Sequence, residues 1–158
     1  MPTLIRLLAT GLLAVFSLTS QAADIAPLQQ RWAEIQYQLP ANQKPAAFKA
    51  LAAEAEQVTQ SEPDSAPALI WHGIILSSWA GAEGGLGALS KVKQAKAELE
   101  KALAIDPEAL NGSAYTSLGA LYYQVPGWPI GFGDDDQAEA LLKRALELNP
   151  DGIDSNFF

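Results

Sequence analysis

Apolar residues recur along most of this chain at the three- and four-residue spacing of an α-helix. Ala138, Leu141, Leu142, Ala145 and Leu146 fall at i, i+3, i+4, i+7 and i+8, which puts them on one helical face. Ala95, Leu99, Ala102 and Leu103 make an equivalent stripe, and charged residues fill the opposite side of both segments. Small alanines within each stripe permit close approach of a neighbouring helix. Leu28, Trp32, Ile35 and Leu39 form a looser stripe nearer the N-terminus. The first two of these helices, and a third beginning near Phe48, are expected to end before a proline, at Asn149-Pro150, Asp106-Pro107 and Glu62-Pro63, because the residue before proline avoids the α region.

The stripes belong to a repeat. "QAKAELEKALAIDP" (Gln94–Pro107) aligns with "QAEALLKRALELNP" (Gln137–Pro150), 43 residues later, with seven of 14 positions identical. A fainter copy, "FKALAAEAEQVTQSEP" (Phe48–Pro63), lies 44 residues upstream and shares Lys49, Ala53, Glu54, Glu56 and Pro63 with the middle copy. Each copy has a partner segment before it. "LIWHGIILSSWA" (Leu69–Ala80) and "YTSLGALYYQV" (Tyr115–Val125) align through Gly73 and Gly119, and "LQQRWAEIQYQL" (Leu28–Leu39) is the first member of the set.

Taken together, a large residue, Leu-Gly and Tyr in a first helix, then Ala, a large residue, Ala and a closing Pro in a second, resemble the tetratricopeptide repeat. The second-helix set is Ala95, Leu99, Ala102 and Pro107, and again Ala138, Leu142, Ala145 and Pro150. The resemblance implies an all-α fold, a right-handed superhelical stack of antiparallel helix pairs, with units near 28–63, 66–107 and 112–150 and the start of a further helix at 151–158. It also implies that the first helices line a concave face used for peptide or protein segments. Tyr37, Ile74, Ser77, Thr116 and Tyr123 are the candidates there.

The units are 43–44 residues long, against about 34 for the family. The excess falls between the two helices of a unit, in "AGAEGGLGALSKV" (Ala80–Val92) and "QVPGWPIGFGDDD" (Gln124–Asp136). Both are expected to form enlarged Gly-rich loops on one edge of the stack. Exported tetratricopeptide proteins with such loops, including the helical accessory component of some TRAP-type solute transporters, are similar in this respect. Trp128 and Phe132 lie in the second loop. Anchoring onto the neighbouring unit is the simpler expectation for them, and this edge is the second candidate binding surface.

Composition adds location and excludes partners. Arg6 precedes the apolar run "LLATGLLAVFSL" and the small residues "TSQAA", the layout of a secretory signal peptide. Residues 1–23 are therefore expected to be removed, leaving a helical domain over 24–158 in the periplasm. No cysteine is present for a lipid anchor, a disulfide, a thiolate metal site or a cysteine nucleophile. The formal net charge is −8, and Arg6 is the only charge in the leader, so the mature chain becomes more acidic. Such a chain repels nucleic-acid phosphates and anionic lipid.

Few residues suggest chemistry. "GGLG" (Gly84–Gly87) lacks the Gly-Lys-Ser/Thr ending and preceding strand of a phosphate loop. Asp134–Asp136 are consecutive rather than alternate, which suits a helix start better than a calcium loop. The single histidine, His72, takes the place of Leu118 in the repeat and is expected in the core. No nucleophile–base pair and no metal or cofactor set stands out. The reading is non-catalytic binding of a protein or peptide partner, with a transporter's solute-binding component as one such partner. The alternative is an accessory role in which the loops take up a small organic solute. After Pro150, "DGIDSNFF" begins another first helix. Either the chain is truncated there, or Phe157 and Phe158 pack against the last helix pair or another subunit.

Overall fold

The computed structural model describes residues 24–157, with the backbone only of Ser155. The expected leader, residues 1–23, and Phe158 lie outside them. The described residues form seven helices and no strand: α1 (Ala26–Gln38), α2 (Lys44–Ser61), α3 (Ala66–Glu83), α4 (Gly85–Ile105), α5 (Ala109–Gln124), α6 (Asp135–Leu148) and α7 (Ile153–Phe157). The fold is all-α, and none of these helices is long and apolar enough to cross a membrane.

The helix boundaries follow local chemistry. Proline occupies the first turn of α1, α2 and α3, where its missing N–H costs nothing. The C-terminal caps of α2, α4 and α6 are Glu62, Asp106 and Asn149, the three residues that precede proline. Each leaves the α region, and its N–H donates back to Val58, Ala102 or Ala145. Side-chain caps open two helices. Ser65 Oγ accepts from Ala68 N–H in α3, and Asp134 Oδ1 accepts from Gln137 N–H (3.0 Å) in α6. Asp135 and Asp136 follow in the first turn of α6, next to its positive end.

Successive helices pair antiparallel. His72 faces Glu98 and Glu83 pairs with Lys91 across α3 and α4. Arg31 pairs with Glu54, and Lys44 Nζ donates to the Gln36 carbonyl (2.6 Å), across α1 and α2. The helix pairs also touch one another: α2 and α1 pack on α3, and α3 and α4 pack on α5.

Two of the pairs lock in the same way. A Cβ on Gly73 would lie 2.8 Å from Leu99 Cγ, 3.1 Å from its Cδ2 and 3.3 Å from the Ala95 carbonyl oxygen. On Gly119 the distances to Leu142 and Ala138 are the same. Leu99 and Ala95 are fully buried, and Leu142 and Ala138 nearly so. Sequence-level equivalence of the two units thus extends to their interior geometry.

One expectation is corrected. The Gly-rich stretch Ala80–Val92 is not a loop, because α3 runs to Glu83 and α4 starts at Gly85. The corner needs only Gly84 and Gly85, at φ +66° and +63°, a conformation that glycine adopts without a Cβ penalty. Lys91 braces it, paired with Glu83 and 4.2 Å above the Trp79 ring centroid. The enlarged turn therefore does not recur from unit to unit. Phe157, in the short α7, is 81% exposed. The start of α5 is not a simple helix. Leu110, Asn111 and Gly112 have φ of +50°, +56° and +79°. Pro107 and Gly119 are 12 residues apart, against 10 for Pro63 and Gly73, and this left-handed turn takes up the two extra residues. Ser113 Oγ closes it by donating to the Leu110 carbonyl (2.8 Å).

Gly73→Ala is expected to destabilise the protein by about 1–3 kcal/mol, because overpacking against Leu99 outweighs the better helix propensity of alanine. Gly81, in the same helix, has nothing within 4 Å of its missing Cβ. Gly81→Ala should therefore be stabilising by up to roughly 1 kcal/mol. Urea denaturation of both variants checks the contrast.

Candidate functional site

Four helices meet around one cleft of about 320 Å³. Trp32 comes from α1, Trp71 and Ile74 from α3, Ser113, Thr116 and Ser117 from α5, and Ile153 and Asp154 from α7; Asn111, Asn149 and Gly152 complete the wall. The cleft is therefore built mainly by the first helices of successive pairs. Trp32 is the anchor on the α1 side. Its indole N–H donates to Ser78 Oγ (2.8 Å), and its ring packs edge-on against Trp71 (5.9 Å between centroids). With that N–H engaged, the indole offers a ligand carbon edge and π face.

A second concavity, about 310 Å³, lies at the edge where α3 turns into α4. It is lined by Leu86, Leu89, Val92, Leu121, Val125 and Ile130 among others, and contains no charged side chain. Leu86 and Ile130 are 88% and 62% exposed at its rim.

The residues expected on a concave face do not all meet. Ile74 and Thr116 share the first cleft. Ser77 lines the apolar groove instead, and its Oγ donates to the Gly73 carbonyl (2.8 Å). Three residues beyond Ile74, it lies about 4.5 Å further along the helix and roughly 60° around it. Tyr37 is exposed against the edge of Trp32, outside both concavities. Tyr123 has the azimuth of Thr116 but lies about 10 Å further along α5, and it is outside both linings too. Trp71 and Ser113 were legible by stepping back three residues along the faces of Ile74 and Thr116. Asn149 and Asp154 were not, because they reach the cleft only through the way α7 follows α6.

The loop after α5 separates its two aromatic residues. Phe132 packs edge-on against Tyr122 (5.4 Å), and Lys96 of α4 lies 5.8 Å from the Phe132 ring and 5.7 Å from Tyr122. Burial acts to lower the Lys96 pKa, but the hydrogen bond and charge of Glu100, together with Tyr122, outweigh it and leave it raised. Phe132 thus packs the loop onto Tyr122 of its own unit, with Lys96 of the preceding unit nearby. Trp128 does not; it is 90% exposed at the tip. The neck of the loop is closed by backbone contact. Gly133 N–H donates to the Pro126 carbonyl (3.0 Å) and Asp134 N–H to that of Tyr122 (3.0 Å). A Cβ on Gly133 would meet the Val125 carbonyl oxygen at 1.8 Å, so no other residue fits there without moving the backbone. Neither ring is in the lining of the apolar groove, to which the same loop contributes Pro126 and Ile130.

His72 is buried at 2% exposure, on the side of α3 that faces α4. Its Nδ1 is 3.3 Å from Glu98 Oε1, without hydrogen-bond alignment. Leu118 and Leu141 hold the equivalent repeat positions, so this polar pair replaces an apolar one. No group of three or more His, Asp or Glu among the described residues is placed to hold a metal ion.

No protein-family model matches the chain, and no curated protein matches it.

Gly133→Ala should lower the melting temperature by forcing the neck open, and Phe132→Ala should do so by removing the anchor. Trp128→Ala should leave stability within about 0.5 kcal/mol of the parent. Thermal melts of the three variants give the order. The raised Lys96 pKa has a second consequence. Its stabilising contribution is complete below the ordinary lysine value and is lost as pH rises through the folded-state value. A pH series of urea midpoints should show an alkaline loss that Lys96→Met removes.

Proposed function

We propose that the chain is a non-catalytic, exported protein of the tetratricopeptide-repeat kind that binds an extended segment of a protein partner. In this reading the helix pairs stack with a right-handed superhelical sense, and residues 1–23 direct the chain to the periplasm. The observation that carries it is the convergence of α1, α3, α5 and α7 on one cleft. A surface assembled from the first helices of successive units is elongated by construction. Its mixture of indole, aliphatic, hydroxyl and amide groups suits alternating apolar and polar side chains together with peptide groups.

The apolar groove supports a second reading, an accessory role for a small organic solute handed to a transporter component. Its wall is uncharged and bounded by Leu86 and Ile130. Both Gly-rich stretches contribute to it, through Leu86 and through Pro126 and Ile130, though neither Trp128 nor Phe132 does.

A photo-crosslinking phenylalanine derivative at Thr116 should capture a discrete protein in the cell envelope. The same group at Lys101, exposed on α4, should not, and excess unlabelled protein should compete. No capture at either position, together with a thermal-shift response to organic acids that Val125→Ser abolishes, would favour the solute reading instead.

A further inference from the structure

The cleft has one kind of charge. Among the described residues Asp154 is the only ionisable one in its wall, and neither Lys, Arg nor His contributes to it. The same wall holds Trp32 and Trp71, with the Trp32 N–H already engaged by Ser78. Indole faces attract cations through their quadrupole. The carboxylate and the rings therefore favour the same sign of ligand charge.

The rest of the molecule acts in the same direction. Arg31, Lys91, Lys96, Lys143 and Arg144 are each paired with a carboxylate of this chain. With 18 acidic against 10 basic residues, the uncompensated charge is negative. An anionic segment would approach against that field and meet Asp154 on arrival. A cationic one is drawn in by both.

The amides mark where the segment's backbone would lie. Asn111 reaches the wall from the left-handed turn that accommodates the two extra residues of the third unit. Asn149, the cap of α6, belongs to the same wall. An amide side chain both donates and accepts, so these two can hold peptide groups without imposing a charge preference. Asp154 is left to supply that preference.

We propose that the cleft selects a cationic, amphipathic segment of its partner. A Lys or Arg head pairs with Asp154, and neighbouring apolar side chains pack on Trp32 and Trp71. This inference rests on the reading of the cleft as the binding surface and adds the chemistry of what it binds.

A random dodecapeptide display library, selected on the purified full chain, tests it. Thr116→Trp fills the cleft and is the counter-target, with Ser113→Trp as a second blocking variant should the first fail to fold. Peptides that depend on an open cleft should be enriched in Lys and Arg. Asp154→Asn should weaken the best of them about tenfold, within the range seen for interfacial charge pairs, and rising salt should weaken them too. A cleft-dependent pool that is neutral or acidic, or one indifferent to Asp154→Asn, overturns the cationic assignment and leaves the cleft a peptide site. A pool that both blocked variants bind equally well overturns the assignment and the cleft reading together.

Discussion

Everything in this molecule is arranged around a close approach of two helices, made twice. Gly73 and Gly119 lack the one carbon that would collide with Leu99 and Leu142, and those leucines fill the notch so produced. A leucine held in this way is buried on all sides. Its removal would leave a cavity in a region with little freedom to collapse, the circumstance in which truncation is most costly. The notch also fixes the axial position of one helix against the other. Cap, corner and loop are then adjusted to that position, not the reverse.

Around the notch the units differ. His72 and Glu98 replace a leucine pair, and the approach at Gly73 keeps the geometry found at Gly119. Packing at the glycine is thus insensitive to the polarity of its neighbours. A buried imidazole close to a carboxylate still carries a desolvation cost that an apolar pair avoids. What the second unit gains in return is not visible in its contacts.

Much of the fold was legible from sequence because it rests on local rules. The apolar stripes placed the buried faces, and three prolines placed the ends of α2, α4 and α6 within a residue or two. Composition misled at Ala80–Val92. Glycine content was read as loop, but Gly81 and Gly87 lie inside helices and only Gly84 and Gly85 adopt a conformation that glycine favours. In "QVPGWPIGFGDDD" the same composition does form a loop, where Gly133 is required by contact with Val125. The distinction is tertiary and leaves no mark in a glycine count. The cleft was half legible for a related reason. Helical azimuth identifies Ile74 and Thr116, but which neighbours share their cleft depends on position along the axis and on the path of α7. The left-handed turn at Leu110–Gly112 had only an Asn-Gly pair to announce it.

That turn shows how the chain separates length from spacing. Two additional residues enter in the first turn of α5 and a ten-residue loop, residues 125–134, follows it, yet Gly119 meets Leu142 as Gly73 meets Leu99. Insertions are absorbed at the ends of the helix, while the distance from notch to leucine stays constant. Such a unit can lengthen, shorten or change its exposed edge without renegotiating its interior. New surface chemistry, whether an asparagine at the cleft or an indole at a loop tip, can then be acquired at positions where the core has no stake.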